Sequence, residues 1–216
     1  MNCILLCIQP ASETAVVGPA TVPRRLLARP ARRAAILSAA AVAFGQGGFS
    51  ATSMEDVAGA AGITRLIVYR HFESKEALYE AVLAQVRDRL AQGFGAHRAR
   101  GLTGSEAAVR ALLEGAREDP AAFTLLWRQA AREPRFAAHA ASVRAGAVEV
   151  ARELLAPVSI GDGVRRAWAA ELILSFLVDS VLHWLEEAPP ERDPELVEMV
   201  SRSVPAMVRA WAGGAL

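Results

Sequence analysis

The chain has 216 residues, 53% of them hydrophobic and 22% charged, with a formal net charge of +1. That balance buries a sizeable core and excludes a disordered, collagen-like or low-complexity polymer. Both cysteines, Cys3 and Cys7, lie within the first ten residues, so the body has neither a disulfide framework nor a thiolate metal site and fits a reducing cytoplasm.

Mean hydropathy is +0.23, which raises the question of a membrane span. The longest apolar stretch, residues 167–182, covers 16 residues and carries Glu171 and Asp179. An acid near mid-bilayer costs about 2 to 3.5 kcal/mol, so a buried helix is expected there and no membrane partner. The opening MNCILLCIQP has no basic residue ahead of its apolar run, which argues against a secretory leader. Residues 1–23 are expected to be a poorly ordered extension.

Charge divides the rest. Residues 24–75 hold eight basic residues, including the single lysine Lys75, against Glu55, Asp56 and Glu73, a net +5, whereas residues 76–216 sum to −3. A basic head facing a polyanion and an acidic body that need not touch it follow from that asymmetry.

In chain order, helical spacing runs throughout and no alternating run marks a strand, so the chain reads as all-α. Pro30 suits a first helical turn, Ile36, Ala40 and Phe44 share one face, and Gly45, Gly47 and Gly48 supply a stop. Thr52 and Glu55 have capping-box spacing for a second helix to about Ala60. After Ala61-Gly62, Thr64 can cap a third helix to Arg70 or His71, and Ser74 a long fourth. Two short helices across a glycine-containing turn make a helix-turn-helix. The fourth helix should break at residues 93–104, and five more are expected over 105–118, 121–132, 135–156, 163–187 and 194–212.

No HExxH, paired CxxC, GxSxG or Walker loop occurs, and the four histidines lack metal-ligand spacing. The expectation is therefore no enzyme, no cofactor and no metal. If Ile63, Val68 and Phe72 face the module's core, Arg65, Leu66 and Tyr69 point outward. Arg65 then suits guanine or a phosphate, Leu66 or Ile67 a thymine methyl, and the Tyr69 hydroxyl a phosphate oxygen; packing within a helical hairpin is the alternative for the apolar ones. Lys75 sits just after a helix cap, where the dipole disfavours a cation. A DNA phosphate there would remove the conflict, and a solvated lysine is the alternative. Arg24, Arg25, Arg29, Arg32 and Arg33 form a basic arm able to enter a minor groove or track phosphates.

Residues 32–83, RRAAILSAAAVAFGQGGFSATSMEDVAGAAGITRLIVYRHFESKEALYEAVL, resemble the DNA-binding domain of the TetR family of bacterial transcriptional regulators. The distinctive run is a Thr opening the second helix, an Ala-Gly turn, then Tyr-x-His-Phe and Ser-Lys. The resemblance implies DNA-facing roles for Thr52, Thr64, Arg65, Tyr69, His71 and Lys75. It also implies a homodimer built from the last two long helices and an effector pocket in the body. Leu66 departs from the small residue usual at its position.

The body carries residues that fit both implications. In 163–187, Trp168, Leu172, Val181 and Trp184 belong to a helix with little polar face, and Val204 and Trp211 extend a matching stripe on the last helix. These six are the candidate dimer residues; burial inside one monomer is the alternative. Phe123, Trp127, Phe136, His139, Phe176, Asp179 and His183 are the candidate effector residues, each also suited to plain core or interface. The expected protein is a helix-turn-helix DNA-binding domain with basic arm (24–75) plus a helical effector-binding and dimerisation domain (76–216). It would be a cytoplasmic homodimeric repressor released from double-stranded operator DNA by a small apolar or amphipathic effector. A helical ligand-binding or adaptor protein without sequence-specific DNA binding is the competing reading.

Overall fold

Pro30 sits in the first turn of α1 (Arg29–Ala51), and Ile36, Leu37, Ala40, Ala41 and Phe44 bury one stripe of that helix completely. The computed structural model describes residues 28–212; Arg24, Arg25 and the predicted extension lie outside them. Helical geometry fails at Gly48, where φ is 74° and ψ 167°, a conformation that favours glycine. Phe49 beyond it folds back beside Phe44, with ring centroids 6.0 Å apart.

The start of α2 (Met54–Ala60) falls one residue later than the Thr52–Glu55 spacing predicts. Ser53 accepts from the Asp56 amide at 3.1 Å, and the Asp56 carboxylate accepts from the Ser53 amide at 2.7 Å. Thr52 is turned back toward α1, its hydroxyl donating to Gly48 O at 2.8 Å. The turn into α3 (Arg65–Tyr69) is closed by Ile63 N donating to Ala58 O at 3.0 Å around Gly62 at φ 64°, the left-handed helix stop for which glycine is the usual residue. Val68 and Phe72 are buried and Ile63 packs against the same core, as the predicted facing requires.

Ser74 accepts from Ala77 N at 3.0 Å and starts α4 (Lys75–Ala99). This helix does not break at residue 93. It runs through Gly93 and Gly95 to a stop at Gly101, whose φ is 85°. Gly93 lies against Ala111 of α5, where a Cβ would make ordinary contact at 3.5 Å, so it sits inside a packed helix rather than ending one.

Asp119 accepts from Ala122 N at 3.0 Å and separates α5 (Gly104–Glu118) from α6 (Pro120–Thr124). The single helix predicted over 121–132 is instead three pieces: α6, a π-helical turn over Leu125–Gln129 and a 3₁₀ turn over Ala130–Arg132. Then come α7 (Ala137–Leu155), α8 (Gly163–Glu187), a 3₁₀ turn over Pro190–Arg192 and α9 (Asp193–Ala212). Among the described residues there is no strand, and the all-α expectation holds.

α5 lies centrally, packed on α4, α8 and α9, with α7 against α8. By length and composition α1 and α8 could each cross a membrane; in this fold their apolar residues pack the core, with Ala169, Ala170, Ile173 and Val181 of α8 fully buried. Arg117 fixes the corner between α8 and α9. Its guanidinium donates to Asp193 Oδ1 at 2.7 Å and to Ala188 O at 2.8 Å.

Candidate nucleic-acid interface and effector cavity

Because Val68 anchors α3 inward, the opposite side of that helix faces out. Leu66 is 61% exposed and Tyr69 39% exposed, and Thr64 is exposed with no side-chain capping bond. The Arg65 guanidinium pairs with the Glu55 carboxylate from α2, donates to the Tyr69 hydroxyl at 3.3 Å and lies 5.1 Å over the Tyr69 ring. Those partners hold its planar fork in an outward pose with more than half the side chain in solvent. Glu55 is available for this because Asp56, and not Glu55, completes the helix cap. Hydrogen bonds from Ser53 hold the Asp56 carboxyl below the ordinary carboxylate range.

The first turn of α1 flanks the end of α3. Arg33 lies 5.0 Å over the Phe72 ring, and partial burial together with the charges of Arg29, Arg32 and Arg33 pushes His71 below the ordinary histidine value. Four cationic or potentially cationic groups thus share one surface with the exposed face of α3, an arrangement suited to a phosphate backbone.

Two candidates on this side are placed differently from expectation. Thr52 is only 4% exposed, and its hydroxyl donates to Gly48 O at 2.8 Å and Ala43 O at 3.1 Å. It closes α1 rather than facing out. Lys75 Nζ donates to Phe49 O at 2.8 Å and Thr52 O at 2.9 Å and sits 4.4 Å over the Phe49 ring. The negative partner expected beside it is thus a set of carbonyls at the end of α1, orphaned by the helix terminus. The Lys75 contacts are invisible to local spacing, because they join residues 26 and 23 apart that only the fold brings together; the Thr52 bond to Gly48 spans four residues.

A cavity of about 400 Å³ opens between α4, α5, α7 and α8, within the range of small-ligand sites. Of the seven effector candidates, Trp127 and His139 line it. Phe123 is fully buried core, and Phe176 is half-buried and packs against the core outside the cavity. Phe136 stacks on Tyr79 at 4.2 Å and meets Phe49 edge-on at 4.8 Å, so it joins α7 to the head. Asp179 and His183 are exposed; the carboxylate that needed a partner in an apolar helix has solvent. The residues missed were Leu90 and Phe94 of α4 and Val143, Gly146 and Leu154 of α7. Their signal is a run of small and apolar positions, which looks the same whether it packs or lines a void.

The dimer candidates also divide. Trp168 is 53% exposed, with Val164 and Leu172 exposed one turn to either side, and Met199 of α9 is exposed as well; Trp168 meets Trp211 edge-on at 5.4 Å. Val181 and Val204 instead pack the core of their own subunit. Trp184 is turned to the α8–α9 corner, donating from Nε1 to Asp193 at 2.9 Å.

Fold and site together define an all-α helix-turn-helix protein with a ligand-sized cavity. Residues 36–82 match the family of bacterial regulatory proteins, tetR family. Over 177 residues, 80% of each chain, the protein is 29% identical to the HTH-type transcriptional activator FasR of Mycolicibacterium smegmatis. A transcriptional regulator from Aquifex aeolicus superposes with a TM-score of 0.64 at 19% identity, over 82% of this chain and 99% of that one. AibR, solved in complex with isovaleryl coenzyme A and operator DNA, superposes with a TM-score of 0.58 at 20% identity, over 79% and 97%. The head of the chain is thus similar to that of bacterial regulatory proteins of the tetR family, and its fold to that of solved transcriptional regulators.

Proposed function

We propose that the chain is a cytoplasmic, homodimeric transcriptional repressor that binds double-stranded operator DNA and leaves it when a small apolar or amphipathic effector enters the cavity. Residues 24–75 serve as the DNA-binding domain and 76–216 as the effector-binding and dimerisation domain. The observation that carries the reading is the outward face of α3, with Arg65, Leu66 and Tyr69 exposed beside the basic first turn of α1. Arg65 reads a base edge, Leu66 meets a thymine methyl, and Thr64, Tyr69, His71 and the arginines of the arm hold phosphates. Pairing across Trp168, Leu172 and Met199 of α8 and α9 sets the separation of two recognition helices, which must match half-sites about 34–36 Å apart or a multiple of that.

Release needs a route from cavity to head, and the π-helical turn offers one. Trp127, at the cavity, is two residues from Gln129, which donates to Gly45 O at 3.2 Å. Glu133, just beyond, accepts from Phe49 N at 3.3 Å. An occupant that favours one setting of Trp127 therefore biases the end of α1, and with it the angle of α3.

Selection of bound fragments from genomic DNA tests the reading, followed by gel shifts of the selected site at several salt concentrations. Sequence-specific retention that Arg65→Ala relaxes at one base position supports it. Retention of no sequence at any salt would favour the adaptor reading. Reporter transcription from the selected site, with and without the protein, fixes the sign: a repressor lowers it, whereas FasR bears the name of an activator.

A further inference from the structure

We infer that the cavity takes an aliphatic acyl chain, tail against the walls of α4, α5 and α7 and oxygen-bearing end toward Trp127 and His139. The inference rests on the reading of the chain as ligand-responsive and names the class of ligand. Three observations carry it.

First, the walls are mainly aliphatic: Leu90, Leu112, Val143, Ala147, Leu154 and Leu177 give the cavity methyl and methylene surface, which favours a hydrocarbon chain over a polyol or nucleoside.

Second, the polar side chains in the lining are Arg87, Trp127, His139 and Ser142, one of them a cation, and among the described residues no carboxylate lines the cavity. Asp88, next to it, is engaged by the Arg87 guanidinium at 2.7 Å. Trp127 Nε1 is a donor only, and both it and His139 Nε2 are buried without a hydrogen-bond partner among the described residues. A buried donor without an acceptor is costly. A carbonyl or carboxylate oxygen would satisfy it, whereas an ammonium head would offer no acceptor and find no counter-charge in the lining.

Third, α7 carries Gly146 in its interior at the cavity wall, and a Cβ there would meet nothing within 4 Å. Glycine inside a helix lowers its stability, and here no neighbour requires the absence of a side chain. The space it leaves belongs to the cavity.

The experiment is isothermal titration of the full chain, without DNA, using decanoate, decanoyl coenzyme A and decyltrimethylammonium as probes, repeated on Gly146→Leu and Trp127→Phe. The expected result is that an acyl probe binds at least tenfold tighter than the ammonium. Whichever of the free acid and the thioester binds tighter is then the source of the acyl group. Gly146→Leu should weaken acyl binding at least tenfold with an unfolding midpoint equal to or above that of the parent, which separates filling from misfolding. Trp127→Phe, which keeps a ring and removes the donor, should weaken it three- to tenfold. An ammonium probe that binds as tightly as the acyl probes would overturn the inference. So would unchanged acyl affinity in Gly146→Leu, or rejection of both acyl probes. Gel shifts of the ligand-free chain test the regulator reading separately, so a chain that retains its operator but rejects acyl probes fails only this inference.

Discussion

Replacing Lys75 with alanine separates two roles for the only lysine in the chain. Its ammonium makes two short bonds, to Phe49 O and Thr52 O, a longer one of 3.4 Å to Ser50 O, and stacks on the Phe49 ring. Each charged bond, discounted for partial exposure, is worth about 1.5 kcal/mol, and the ring contact adds about 0.5–1 kcal/mol. The side-chain entropy released by truncation returns roughly 1.5–2 kcal/mol. A net loss of about 2 kcal/mol follows, or a fall of roughly 4–8 °C in Tm for a domain of this size. Operator affinity should drop by a similar factor at every salt concentration, because the end of α1 loosens beneath α3. A phosphate contact predicts otherwise: little change in Tm, and a slope of log K against log salt smaller by about 0.9. Thermal unfolding followed by circular dichroism, paired with a salt series of operator titrations, reads both quantities. An unchanged Tm together with the reduced slope would refute the internal role.

Three further outcomes are expected. Burial and three arginines lower the His71 value in the free protein, and a phosphate favours the charged ring, so DNA binding should take up a proton and affinity should rise from about pH 7.5 to about pH 5.5; His71→Gln should flatten that rise in fluorescence anisotropy titrations. Burial, with the charge of Glu133, pushes the Tyr79 hydroxyl up to about 12, and the group has no hydrogen-bond partner among the described residues. Tyr79→Phe should therefore hold or gain up to about 1 kcal/mol in urea unfolding, and a loss above that would mean the hydroxyl is satisfied. Trp168→Glu places a charge in the exposed apolar patch of α8 and α9 and should sediment as a folded monomer at micromolar concentration where the parent sediments as a dimer.

Local pattern carried a large part of this protein. Helix spans, the glycine-stopped turn before α3 and the inward set Ile63, Val68 and Phe72 follow from spacing of three and four residues, together with caps and glycines that act within one turn. The outward face of α3 follows as the complement of that inward set, so its candidate residues were legible without coordinates. Tertiary structure decided what depends on partners distant in sequence. Thr52 turned inward on Ala43, nine residues back, Lys75 found the end of a helix 26 residues earlier, and α4 continued through Gly93 along α5. Hydrophobic character is the same for Val181 in its own core, Trp168 on an open face and Leu154 beside a void. Only the positions of neighbouring helices separate those three fates, and burial against a neighbour is a property of the pair.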